Sequence, residues 1–125
     1  MIDHLGLSVP DLRRALAFYD VALAPLGIVR MVAVGGTDDL PDHVGYGDGR
    51  RAFFWVGGGG AATGLHLAFA ARDRAAVDAF HAAALAVGAR DNGAPGLRPE
   101  YHATYYGAFV IDPAGVNLEA VHHGP

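Results

Sequence analysis

The chain has 125 residues, 52% of them hydrophobic and 18% charged, and carries a formal net charge of −4, so it is expected to fold as one domain that buries roughly two-thirds of its unfolded surface rather than stay disordered. An acidic balance excludes the sequence-independent grip on nucleic acid that basic surfaces provide, and no stretch approaches the ~20 apolar residues that cross a bilayer. Cysteine and lysine are both absent, all nine basic residues being Arg, which excludes disulfides, thiolate or Schiff-base catalysis, and metal sites built on sulfur.

Taken in chain order, Ile2 to Val9 alternates as a strand, with Leu5, Leu7 and Val9 on one face and His4, Gly6 and Ser8 on the other. Asp11 then caps a helix whose apolar positions Leu12, Leu16, Tyr19, Leu23 and Leu26 recur at helical spacing and which Gly27 ends. A strand over Ile28–Val34, a polar loop to Asp42 and a hairpin of Val44–Tyr46 with Arg51–Val56, turning at Asp48-Gly49, complete the first half. Leu65–Ala71 begins again as a strand, and Asp73 caps a helix that runs to about Val87 with Gly88 as its stop. The segment Arg90 to Thr104 reads as irregular, and Tyr105–Ile111 with Asn117–His122 as a last hairpin around Asp112-Pro113-Ala114-Gly115.

The two halves are copies. A shift of 62 residues superposes His4 on His66, Leu5 on Leu67, Asp11 on Asp73, Ala17-Phe18 on Ala79-Phe80, and Ala22-Leu23-Ala24 on Ala84-Leu85-Ala86. The expected architecture is α+β: two tandem βαβββ modules, about 1–57 and 65–125, joined by a glycine-rich linker over 57–64. One helix covers one face of each set of strands, so the other face curls around a central groove.

That groove collects the residues with chemistry in them. His4 and His66 occupy equivalent places on the first strand of each module, beside small neighbours, and Glu119 lies between Leu118 and Ala120 on the last strand, facing the same side. Two imidazoles and a carboxylate form the facial set that holds a divalent metal with open positions, as Fe, Mn, Ni, Co or Zn. Counted by the same shift, the first-module position matching Glu119 is Gly57, so a fourth protein ligand is missing. The plain alternative is that these are satisfied structural side chains on strands.

Asp3-His4-Leu5-Gly6-Leu7-Ser8-Val9 followed by the Asp11 helix, Phe18-Tyr19 within it, His66-Leu67-Ala68-Phe69, and Asp112-Pro113-Ala114-Gly115-Val116-Asn117-Leu118-Glu119 together resemble the vicinal oxygen chelate superfamily, the glyoxalase, bleomycin-resistance and extradiol dioxygenase group. The resemblance spans essentially the whole chain. It implies the paired βαβββ fold, one divalent metal per chain at His4, His66 and Glu119, and lyase, isomerase or dioxygenase chemistry in which the metal stabilises an oxyanion or binds vicinal oxygens. Glyoxalase I enzymes carry a further Glu or Gln on the strand where this chain has Phe53-Phe54-Trp55-Val56.

Around the groove, His102 and Tyr106 are candidate proton-transfer groups, since an imidazole titrates near neutral pH. Phe54, Trp55, Arg98, Tyr101 and Tyr105 are candidate substrate contacts. His43 and His81 read as structural or solvated. The start of the chain lacks the basic flank and apolar run of a signal peptide, so a cytoplasmic homodimer with a small-molecule substrate is expected. The alternative is a protein that sequesters a small molecule in the same groove without catalysis, as the bleomycin-resistance branch does.

Overall fold

Each helix starts where an aspartate accepts a hydrogen bond from its own first turn. Asp11 takes the Arg14 amide at 3.1 Å and Asp73 the Ala76 amide at 2.8 Å, supplying partners to amides that a helix start leaves unpaired. In the computed structural model, which describes residues 2–60 and 65–125, α1 spans Leu12–Ala22 and α2 spans Arg74–Ala86. The far end of the expected linker, residues 61–64, lies outside the described residues. Helix α1 stops short of its expected end at Gly27. Pro25 lacks an amide hydrogen and cannot continue an α-helix, so Ala24–Leu26 forms a single 3-10 turn that Gly27 closes at φ +75°.

The eight strands are β1 (Leu5–Val9), β2 (Val29–Val34), β3 (His43–Gly47), β4 (Ala52–Gly58), β5 (His66–Ala70), β6 (Arg90–Leu97), β7 (Tyr106–Ile111) and β8 (Asn117–His122). They form two sheets of identical plan, ordered β1-β4-β3-β2 and β5-β8-β7-β6, with the first pair in each parallel and the rest antiparallel. The tandem βαβββ expectation is met, with one correction. Residues 90–97, read as irregular, form β6. The strand lies at the sheet edge, where Pro95 needs no inward amide and Gly93 and Gly96 are absorbed by register shifts.

Both helices pack inward on the same side of their sheets. Ala15, Leu16, Phe18, Tyr19 and Ala22 of α1 are buried, as are Ala76, Val77, Phe80, His81 and Ala84 of α2. They meet Leu7, Val9, Phe54, Val56, Phe69, Val110 and Leu118 in one continuous core. The modules are tied together within it. Phe54 meets Phe69 edge-on at 5.4 Å between centroids, and the Tyr19 hydroxyl donates to Asp112 Oδ2 at 2.5 Å. Asp112 Oδ1 in turn accepts from the Ala114 and Val116 amides at 2.8 Å each, locking the β7–β8 turn. Burial and the Asp112 carboxylate both push the Tyr19 phenol far above its ordinary value. Helix α1 lies against α2, so the modules dock through their covered faces and leave both opposite faces open.

Candidate functional site

The open face of the second module carries the densest set of polar groups. Alternation on β8 sends Leu118 and Ala120 into the core and Glu119 to the open side, as the sequence pattern requires. The carboxylate is only 3% exposed, because neighbouring side chains close over it. His66 Nε2 stands 3.1 Å from Oε2, and the Tyr105 hydroxyl donates to Oε1. Loss of hydration and the hydrogen bond to Glu119 raise the Tyr105 phenol well above its ordinary value, so it stays a donor across the physiological range. Phe109 pairs directly with Glu119 across the ladder, and the His66 ring stacks on it at 6.1 Å and 21°. Gly107 makes the arrangement possible: a β-carbon there would sit 3.1 Å from Glu119 Oε1 and 3.2 Å from the Tyr105 ring.

Arg98 joins the same face just beyond β6. Its guanidinium lies over Phe109, 5.5 Å from the centroid, and donates to the Ala94 carbonyl at 2.7 Å. At the rim, His102 Nε2 and His123 Nδ1 are 2.8 Å apart, and both rings stand edge-on to Tyr105. Tyr101, largely exposed, packs edge-on against Tyr105 at 4.9 Å. His66, Glu119, Tyr105, Tyr101, Arg98 and His102 therefore form one neighbourhood.

His4 is elsewhere. It is exposed at the mouth of β1 and bonds Asp3 Oδ1 at 2.9 Å. His4 and His66 both line a cavity of about 580 Å³ at the seam between modules. Among the described residues, however, no three His, Asp or Glu side chains come close enough together to hold a metal. His66 and Glu119 pair an imidazole nitrogen with a carboxyl group in a small-residue setting with exposed Ala68 and Ala70, and they fit a divalent ion on one side only.

Two candidates face the wrong way for groove chemistry. Tyr106 alternates with Tyr105, so its hydroxyl lies on the helix side, bonded to Asp78 of α2 at 2.6 Å with Arg74 over its ring. Phe54 is buried at 2% in the core and reaches only the seam cavity. Its neighbour Trp55 does face the open side, in a hollow of about 390 Å³ with His4, Gly6, Val34 and His43.

The partner of Glu119 in the first module also changes. Glu119 pairs with Ala68 on β5, and the equivalent Gly6 on β1 pairs with Trp55, not with Gly57. The first module is two residues shorter ahead of its last hairpin: His4 to Gly45, the partner of Trp55, spans 41 positions (45 − 4), and His66 to Phe109, the partner of Glu119, spans 43 (109 − 66). A constant shift of 62 therefore drifts out of register before the last strand. The first module offers an indole where the second offers a carboxylate. Trp55 lies flat over Gly45, where a β-carbon would come within 2.9 Å of its ring. His43, read as structural or solvated, is on this open face too, its ring laid across Gly57.

No protein-family model and no curated protein matches the sequence. Solved structures do match over nearly the full length. A glyoxalase/bleomycin resistance protein from Albidiferax ferrireducens is 29% identical with a TM-score of 0.77, covering 98% of each chain. A glyoxalase/bleomycin resistance protein/dioxygenase family enzyme from Burkholderia phytofirmans is 18% identical with a TM-score of 0.70, again over 98% of each. The fosfomycin resistance protein FosX of Listeria monocytogenes, a mutant solved with Mn(II) and a dihydroxypropylphosphonic acid, is 16% identical with a TM-score of 0.68, covering 100% of this chain and 90% of that one.

Proposed function

Because this chain belongs to the vicinal oxygen chelate superfamily, we propose that it is a divalent-metal-dependent enzyme of the lyase, isomerase or dioxygenase type, acting in the cytoplasm on a small oxygenated or aromatic molecule. The observation that carries this reading is Glu119: a buried carboxylate held between His66 and Tyr105 on a sheet face otherwise left open. A structural carboxylate would be expected on the packed side or at a solvated edge, not capped by an imidazole on the open face of a sheet.

His66, Glu119 and His4 would hold the ion, with His4 supplied by a second copy of the chain. Strands β1 and β5 are edges of their sheets, and both open faces are unpaired within one chain; a homodimer that lays the first module of one copy against the second module of the other brings the three together. A metal there supplies Lewis-acid stabilisation of a developing oxyanion on the substrate. Tyr105 orients Glu119 by donating to Oε1. His102, bonded to His123, holds a ring proton at the rim of the same face. Trp55, Tyr101 and Arg98 supply the walls that exclude water and orient the substrate.

The reading is tested by elemental analysis of untagged protein purified without chelator, against His4→Ala and a His66→Ala/Glu119→Gln variant. Loss of about one metal per chain in both variants is expected, with partial recovery when the two proteins are unfolded together and refolded as mixed dimers. Metal retained in the double variant overturns the site. Failure of mixing to restore metal overturns the shared-copy arrangement.

A second reading has its own observation. Trp55 puts a flat aromatic wall at the place of a fourth ligand, which suits a protein that sequesters a planar molecule without transforming it. Ligand binding that survives loss of His66 and Glu119 would favour it.

A further inference from the structure

We infer that Arg98 is the oxyanion-recognising residue of this groove, and that the natural ligand carries a carboxylate, phosphonate or phosphate. Arg13, Arg30, Arg51 and Arg72 each reach an aspartate within ion-pair distance; among the described residues the other five arginines, Arg98 among them, reach none. Of these five only Arg74 and Arg98 are half-buried, and Arg74 lies on the helix side over the Tyr106 ring, so Arg98 alone is half-buried on the open face. A guanidinium withdrawn from water without a counter-charge is costly unless something supplies the missing anion.

Its setting is shaped for that task. Glycines at positions 93 and 96 leave a trough in β6: a β-carbon at Gly93 would approach Nη2 to 3.2 Å, and one at Gly96 would approach Nη1 to 3.2 Å. The fork lies in this trough over the Phe109 ring. Its one protein acceptor among the described residues is the Ala94 carbonyl, which engages Nη2. The other N–H groups are left for a planar, bidentate oxyanion, the geometry at which arginine surpasses lysine. Phe109 is shared, with Arg98 on it and the His66 ring stacked against it, so an anion on Arg98 belongs to a molecule whose remaining atoms lie at the His66–Glu119 pair. The proposal deepens the metal-dependent reading, but the anion site itself does not need the metal.

The alternative role is a brace that holds β6 through Ala94. The two are separated by titrating metal-free protein with benzoate, phenylphosphonate and the neutral benzamide, following the assigned Arg98 Nε–Hε signal by NMR. Saturable shifts with both anions, at least about tenfold tighter than with benzamide, are expected, and the tighter anion identifies carboxylate or phosphonate as the natural group. Arg98→Gln should lower anion affinity about tenfold, to the benzamide level, and leave manganese stoichiometry unchanged, with Arg98→Lys recovering part of the loss. Equal binding of benzoate and benzamide, or an undiminished preference in Arg98→Gln, overturns the inference. If Arg98→Gln does not fold, the wild-type titration decides alone. Repeating it in His66→Ala/Glu119→Gln keeps the two proposals apart: anion binding that persists there upholds the Arg98 site even if the metal assignment has failed.

Discussion

Tyr105 and His66 each take one oxygen of the same Glu119 carboxylate, the phenol at Oε1 and the imidazole at Oε2. In the proposed metal-bound state an ion would take the place of the His66 contact, and Tyr105 would still fix the rotation of the carboxylate.

Tyr105→Phe is therefore expected to weaken manganese binding by about ten- to a hundredfold, the usual cost of removing an outer partner of a ligand. It also strips a buried oxygen of its donor, which costs about 1–3 kcal/mol. Competition titration with a chromophoric chelator reads the first effect and urea unfolding the second. Unchanged metal affinity with lowered stability would reduce Tyr105 to a packing role.

Gly107→Ala probes the same carboxylate from below. Its β-carbon would intrude on Glu119 Oε1 and the Tyr105 ring, so metal affinity should fall while both side chains remain. Affinity equal to wild type would show that the carboxylate has room the structure does not give it.

Asp112 joins the modules. Asp112→Ala removes the acceptor of the Tyr19 hydroxyl and of two backbone amides in a buried site, and a loss of about 3 kcal/mol is expected. Chemical denaturation with Tyr and Trp signals recorded together is the measurement. A variant within about 0.5 kcal/mol of wild type would contradict the role.

Two limbs of the pH profile follow from the shifted groups. The Gly93 amide and His81 hold the Asp91 carboxyl below its ordinary value, and the Arg50 and Arg51 amides do the same for Asp48. Depressed carboxyls stabilise the fold above about pH 4 and lose that contribution as pH falls through their folded values. Tyr19 and Tyr46 are raised, chiefly by burial. Their contribution is complete below about pH 10 and is lost as pH rises towards their folded values. Melting temperature should be flat between these limits and fall outside them, with Asp91→Asn softening the acid limb. An alkaline limb absent up to pH 12 would contradict the burial of the two phenols.

Much of this was legible in the residues. The duplicated His4 and His66 strands, the Asp11 and Asp73 caps, and the outward turn of Glu119 between Leu118 and Ala120 follow from local chemistry and periodicity. Strand β6 was hidden because Gly93, Pro95 and Gly96 erase alternation, and only edge pairing rescues such a segment. Trp55 was missed as the counterpart of Glu119 because a fixed repeat offset cannot register a module shortened by two residues between β1 and β3. Tyr105 and Tyr106 looked interchangeable until the strand phase sent one to Glu119 and the other to Asp78. The separation of His4 from His66 and Glu119 depends on how α1 docks on α2, a long-range choice that no local pattern encodes.

The docking of both helices on one side has a further consequence. Residues that determine whether the chain folds and residues that determine what it meets lie on opposite surfaces of the same strands. Replacing Val34, Trp55, Ala68 or Ala70 would alter the open faces while leaving Val56, Phe69 and Leu118 packed. Such a scaffold can exchange one ligand for another by point substitution at little thermodynamic risk. New specificities can then arise gradually, each step inherited by a protein that still folds.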